Sequence, residues 1–351
     1  MPYKSQTQQN VRYGEIVKSD FTAPWWAKNR HVQTLYPRLA QKRRKLDYHI
    51  EKLPLPDGDF VNLVMAGDFE KATGIMVMFH GLEGSIKSHY ANDMAANFLA
   101  QGYAVVLMHF RGCGGEHNNT HRAYHSGETQ DAWFLLNWLE KRYPQKRKAA
   151  IGFSLGANML LKLLSEQPSQ KIVQAAIAVS TPFNLAACTK SIGQGFAKIY
   201  QAHLMKSLVT NMLFKMKKMD FSGLLKVTDS QVKQFKSFRE FDEHVTAPLH
   251  GFLGADDYYQ KCSAQSFLKE ISTPTLVLHA KDDPFMHESI IPSADALSSK
   301  VCIEVSENGG HVGFMQGTPW RPSIWMQQRA NDFFAPFMAC KPKQLSSDSP
   351  L

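Results

Sequence analysis

The chain has 351 residues, 44% of them hydrophobic, with 40 Lys and Arg against 31 Asp and Glu for a formal charge of +9. That is enough apolar material for one large domain or two ordinary ones, yet no stretch approaches the roughly 18 apolar residues of a membrane span. The five cysteines (Cys113, Cys188, Cys262, Cys302 and Cys340) are scattered without CxxC spacing, which argues for reduced thiols and against a disulfide framework or a structural zinc site.

The first thirty residues contain no apolar run resembling a signal-peptide core, so a soluble, cytoplasmic protein is expected. Residues 1–50 are expected to form an N-terminal extension packed on the core, and residues 51–340 the main domain. The basic run "QKRRK" (41–45) is short and lacks interleaved aromatics, which fits a solvated turn; no nucleic-acid partner is expected.

Short apolar runs then alternate with helical patterns. "GIMVMFHG" (74–81), "AVVLMHF" (104–110), "AAIGFS" (149–154), "AAIAVS" (175–180) and "TLVLHA" (275–280) have strand length and are apolar throughout, as strands buried on both faces of a parallel sheet must be. Between them lie helical segments such as "ANDMAANFLAQG" (91–102) and "GETQDAWFLLNWLEKRY" (127–143). Ser126 is expected to cap the latter, with Glu128 and Asp131 at the positive end of its dipole. The rhythm predicts a mostly parallel, doubly wound α/β sheet.

The alternation breaks after "STPFNL" (180–185), and residues 186–260 carry helical patterns, which predicts a helical cap over the carboxyl ends of the strands. Its first part, 186–219, holds Lys190, Lys198, Lys206, Lys215, Lys217 and Lys218 with no acidic residue, interleaved with Met205, Met212, Met216 and Met219. Two readings fit: a cap helix with solvated lysines, which is favoured, or a basic amphipathic lid on an anionic membrane surface. The tail "KPKQLSSDSPL" (341–351) is expected to be disordered.

Gly152-Phe153-Ser154-Leu155-Gly156 is a G-x-S-x-G pattern between a strand and the helix "ANMLLKLL", the context of a nucleophile elbow. A serine hydroxyl needs a base, and the base an orienting acid, expected downstream in the order acid then histidine. "LVLHAKDDPFM" (276–286) supplies the acid and "CIEVSENGGHVGF" (302–314) supplies His311 in a glycine-rich loop. Asp283, just before Pro284, is preferred over Asp282, which then serves as a turn former. The oxyanion hole is assigned to the backbone amides of Leu155 and of Leu82 in "FHGLEGS" (79–85). His80 precedes the serine and is expected to hold that loop rather than act as a base. Arg111 in "HFRGCGG" is expected to organise loops, and His31 in "NRHVQTLYP" receives no role.

In their unbroken order these blocks, together with "YHSGETQD" (124–131), "FREFDE" (238–243) and "DDYY" (256–259), resemble the YheT-like family of α/β-hydrolases over residues 20–338. The resemblance implies a carboxylic-ester hydrolase with a charge-relay triad on Ser154, Asp283 and His311. The expected reaction is acyl transfer from a small ester of short to medium chain, with no metal and no organic cofactor. A lipid-directed esterase, a thioesterase, and a catalytically silent hydrolase fold used for binding are the alternatives.

Overall fold

The computed structural model describes residues 11–339. Nine strands form one sheet: β1 (Ile16–Lys18), β2 (Tyr48–Pro54), β3 (Phe60–Ala66), β4 (Ile75–Phe79), β5 (Ala104–Met108), β6 (Lys148–Phe153), β7 (Val173–Val179), β8 (Thr275–Ala280) and β9 (Val301–Ser306). Their order is β1-β9-β8-β7-β6-β4-β5-β3-β2, parallel from β1 to β5 and antiparallel at β3 and β2. The central runs are apolar at every position because both faces are covered. Val77, Val106, Ala150 and Val277 point to one side, and Met76, Leu107, Ile151 and Leu278 to the other.

The N-terminal extension contributes α1 (Arg30–Leu39). Helices α2 (His89–Ala100), α3 (Gln130–Arg142) and α4 (Leu155–Glu166) follow within the first half of the sheet. Leu135 of α3 and Leu160 of α4 pack on one face, while Met94 and Phe98 of α2 pack on the other. Between β7 and β8 the chain is helical: α5 (Leu185–Ile192), α6 (Lys198–Met216), α7 (Asp229–Val232), α8 (Phe238–Phe241), a π-turn over Asp242–Thr246, α9 (Ala247–Leu249) and α10 (Ala255–Cys262). The hairpin β10 (Met315–Thr318) and β11 (Arg321–Ile324) leads into α11 (Trp325–Met338), whose Phe333 and Phe334 join Phe98 in the core. This is a doubly wound α/β-hydrolase fold with a helical cap.

Two expectations need correction. Helix α3 begins at Gln130 with Thr129 at its N-cap position, not at Ser126. Ser126 is instead used by the cap and α4: its amide donates to the Tyr258 hydroxyl at 3.0 Å and its carbonyl accepts from Asn158 Nδ2 at 2.8 Å. Glu128 is likewise taken by Arg122 at 2.7 Å, so only Asp131 lies in the first turn. The second concerns the lysine–methionine segment 186–219, whose lysines were expected to be solvated. Met205 and Met212 are buried with Phe221, Leu225 and Val232 in a small core belonging to the cap. Lys215 is buried too; its ammonium donates to Asn118 Oδ1 and to the carbonyls of His121 and Arg122, pinning α6 to the loop after β5. The tail 341–351 and Cys340 lie outside the described residues.

Candidate active site

The turn from β6 into α4 is tight enough to force Ser154 to φ 52° and ψ −118°, a left-handed conformation that costs a non-glycine residue about 1–3 kcal/mol. A donated bond from the Ser154 amide to the Val179 carbonyl (2.8 Å) holds it there. The flanking glycines are sterically required. A Cβ at Gly152 would collide with the Gly156 carbonyl, and one at Gly156 would collide with the carbonyls of Phe79 and His80. Five non-glycine residues have positive φ among the described residues: Glu83, Ser154, Ser180, Val312 and Phe314. All five follow β4, β6, β7 or β9, so the strain collects at the carboxyl edge of the sheet.

His311 is brought to the same edge by the loop after β9. Its Nδ1 donates to Asp283 Oδ2 at 2.7 Å, and its ring stacks on Phe285 at 3.9 Å and 13°. Because Nδ1 carries the proton to the carboxylate, Nε2 is left with its lone pair. Asp283 is fully buried and also accepts from the Phe285 amide at 2.8 Å. Asp282 points the other way, accepting from the Gly310 amide (2.9 Å) and Asn308 (3.3 Å), and so clamps the histidine loop without touching the ring. Ser154 and His311 open on one cavity; no hydrogen bond joins the two among the described residues.

The loop after β4 is shaped by buried groups. The His80 ring lies between strand ends, Nδ1 donating to the Gly81 carbonyl (2.7 Å) and Nε2 accepting from the Phe110 amide (3.1 Å). Burial, and then neighbouring His109, pushes its pKa down to about 3, so the ring is neutral and its nitrogens are occupied. The Gly81 amide donates to the Tyr90 hydroxyl (2.9 Å) and the Glu83 amide to the Tyr124 hydroxyl (2.8 Å). Between them the Leu82 amide has no acceptor among the described residues, and neither does the Leu155 amide at the start of α4. Both residues line the cavity.

Arg111 stands away from the cavity as the hub of a buried ion cluster. Its guanidinium takes Asp131 at 2.6 and 2.7 Å, Asp57 at 2.7 Å and Asp59 at 3.1 Å. His31 of α1 faces inward: Nδ1 bonds the Tyr200 hydroxyl at 3.0 Å, and Tyr200 packs on Phe285.

Residues with no motif around them also build the site. Thr34 of α1 accepts from the His311 amide (2.9 Å), Gln33 accepts from the Met315 amide (2.7 Å), and Ser180 accepts from the Val312 amide (3.1 Å). His125, Glu128 and His250 bring ligand atoms within 4.8 Å of one another. They suit a cation poorly, because Arg122 occupies Glu128 and His125 Nδ1 already accepts from the Gly127 amide (3.1 Å). The cavity itself is about 460 Å³, within the range of about 300–1,000 Å³ usual for small-molecule sites.

A serine on a strained strand-to-helix turn, an Asp-bound histidine after a late strand, and helices roofing both define an α/β hydrolase. In agreement, the family model for the alpha/beta hydrolase fold matches residues 74–318, and the chain belongs to that family, in its YheT-like branch. The Escherichia coli (strain K12) protein named "Putative esterase YheT" is 42% identical over 315 residues, covering 89% of this chain and 92% of that one. The mouse protein "Phospholipase ABHD3" is 27% identical over 321 residues, 89% of this chain and 76% of its own. Among solved structures, the Pyrococcus furiosus esterase Pf2001 shares the fold at a TM-score of 0.55, 17% identity, and coverage of 93% and 99%. Among the described residues, no helix is long and apolar enough to cross a membrane.

Proposed function

We propose that the protein is a serine hydrolase of small carboxylic esters, acting through an acyl-enzyme. The observation that carries this reading is the Asp283–His311 bond beside a strained Ser154 on one cavity. His311 Nε2 takes the hydroxyl proton as Ser154 Oγ attacks the ester carbonyl, and the hydrogen bond to the serine tightens once substrate is in place. Asp283 holds the tautomer and faces the imidazolium that forms. The Leu82 and Leu155 amides receive the developing oxyanion, and each such donor contributes roughly 3–4 kcal/mol to the transition state. His311 returns its proton to the leaving alcohol, then takes one from water as that water attacks the acyl carbonyl. The carboxylic acid leaves and Ser154 regains its proton.

A short to medium acyl chain suits a cavity closed by the cap side chains Leu185, Ile192, Phe238 and Phe241. The test is fluorophosphonate labelling together with hydrolysis of p-nitrophenyl esters from acetate to palmitate, wild type against Ser154→Ala. Labelling and turnover lost in the variant, with a peak at short or medium chains, is expected. An unlabelled wild type would sink the hydrolase reading, and a peak at long chains would replace the small-ester reading with a lipid-directed one.

A further inference from the structure

The cavity is chemically two-ended. Arg38 at the end of α1, Arg43, Lys87 just before α2, and His203 of α6 all line it and are all exposed, so they form its mouth. The lining residues from the cap, Leu185, Ile192, Phe241 and Tyr258, are buried and form its interior. We propose that the mouth is an anion subsite: the ester that Ser154 cleaves carries a phosphate or carboxylate group that rests on Arg38 and Lys87 while its apolar part lies under the cap. The substrate class rests on the hydrolase reading above; the subsite itself does not.

None of the three cations forms an ion pair with a carboxylate among the described residues. Arg43 is a spacer rather than a binder. Its Nε donates to the Lys87 carbonyl (3.1 Å), Nη1 to the Pro37 (3.2 Å) and Gln41 (2.8 Å) carbonyls, and Nη2 to the Arg38 carbonyl (2.9 Å). One guanidinium thus ties the backbones of Arg38 and Lys87 together and adds a positive charge that forms no ion pair with a carboxylate among the described residues. Arg38 spends a single N–H on His203 Nε2, at 2.5 Å, and Lys87 keeps its ammonium unpaired.

Nearby groups register the resulting field. His89, on the same wall, has its pKa pushed down to about 3 by burial and then by Arg43 and Arg38, and its buried Nε2 has no hydrogen-bond partner. The carboxyls that line the cavity are engaged elsewhere. Glu83 is held by Tyr124 and Asn211, and Asp242 by Tyr259 and Thr246; burial raises both towards their neutral forms. Asp93, a buried residue of α2, hydrogen-bonds neither Arg43 nor Arg44. A phosphate or carboxylate would supply the missing counter-charge.

The binding test uses Ser154→Ala protein, so that nothing is turned over, titrated by calorimetry with hexyl phosphate, hexanol and inorganic phosphate. Hexyl phosphate is expected to bind about tenfold more tightly than either of the others at low salt, the scale of two exposed charge pairs. The preference should shrink in about 0.5 M NaCl, where the Debye length is only a few ångströms. Adding Arg38→Gln and Lys87→Gln, both at exposed positions, should bring hexyl phosphate to the level of hexanol. Equal binding of hexyl phosphate and hexanol, or a preference untouched by the double variant, would overturn the subsite. Inorganic phosphate binding as tightly as hexyl phosphate would reduce it to a free-anion site and overturn the substrate claim. In wild type, kcat/KM for a hexanoyl ester of glycerol phosphate should exceed that for hexanoylglycerol by a similar factor. A protein that binds hexyl phosphate selectively but is neither labelled nor active on any ester would sink the hydrolase reading alone; one that is active without the preference would sink the subsite alone.

Discussion

Arg111→Met separates the structural centre of the molecule from its chemistry. The three carboxylates that lose the guanidinium lose unequally. Asp57 is partly exposed and keeps water and Arg122, while Asp59 keeps Asn118, Thr120 and the amides of Phe60 and Asn119. Asp131, with its side chain 6% exposed, loses both of its bonds to Arg111. Removing one partner of such a buried pair costs about 3–5 kcal/mol, a large share of the roughly 5–15 kcal/mol that holds a domain together. Urea denaturation followed by tryptophan fluorescence should show the midpoint falling by roughly 1–2 M. If Asp131 bears the cost, adding Asp131→Asn should recover about 2 kcal/mol, because the charge left stranded is gone. A single variant within about 1 kcal/mol of wild type, or a double variant less stable than the single, would refute this accounting.

Further expectations follow from particular contacts. Asp283→Asn should lower kcat/KM for a p-nitrophenyl ester by roughly 10³–10⁴-fold, whereas Asp282→Asn, which only loosens the loop at Gly310, should cost about tenfold; the reverse order would exchange the two acids. Asp93 is buried with both oxygens unpartnered, and burial, opposed by Arg44 and Arg43, raises its pKa to about 6. Its folded state therefore holds the proton more tightly than the unfolded one, and stability falls as pH rises from about 4 to about 6 and then levels. Asp93→Asn should match wild type near pH 4 and exceed it by about 3 kcal/mol above pH 7 in thermal or urea unfolding; a constant offset across pH would contradict the assignment. Tyr90→Phe removes the acceptor of the Gly81 amide and should reduce kcat about tenfold with little change in KM; an effect confined to KM would place the loop in binding instead.

The strands from Ile75 to Ala280 were legible because burial on two faces leaves an unmistakable apolar run, and the serine turn was legible because only glycine fits at 152 and 156. The edge strands were not. β2 is largely exposed along Tyr48–Pro54, and β1 has three residues whose pairing with Ile303–Val305 is visible only in space. The mis-set start of α3 has the same origin: Ser126 has capping chemistry, but Tyr258 and Asn158, distant in sequence, take its backbone first. Of the adjacent aspartates, Asp283 was preferred for its place before Pro284, while their different tasks appear only in the geometry: both orient the histidine loop and one alone meets its ring. Thr34, Gln33 and Ser180 left no signal, because an ordinary hydroxyl or amide side chain acquires its task from the loop that folds against it.

The grip of α1 on the histidine loop has a bearing on when the molecule becomes competent. Residues 33 and 34 leave the ribosome early, and their partners at 311 and 315 leave it nearly three hundred residues later. At about 5–20 residues per second that interval is tens of seconds, and over roughly its second half the serine turn can exist without His311. Nascent chains and products of premature termination that end between residues 166 and 311 therefore carry the elbow but lack the imidazole. On the proposed mechanism a shortened chain of this kind would hold an unactivated hydroxyl, and activity would begin only when β9 and its loop had come back to meet the first helix.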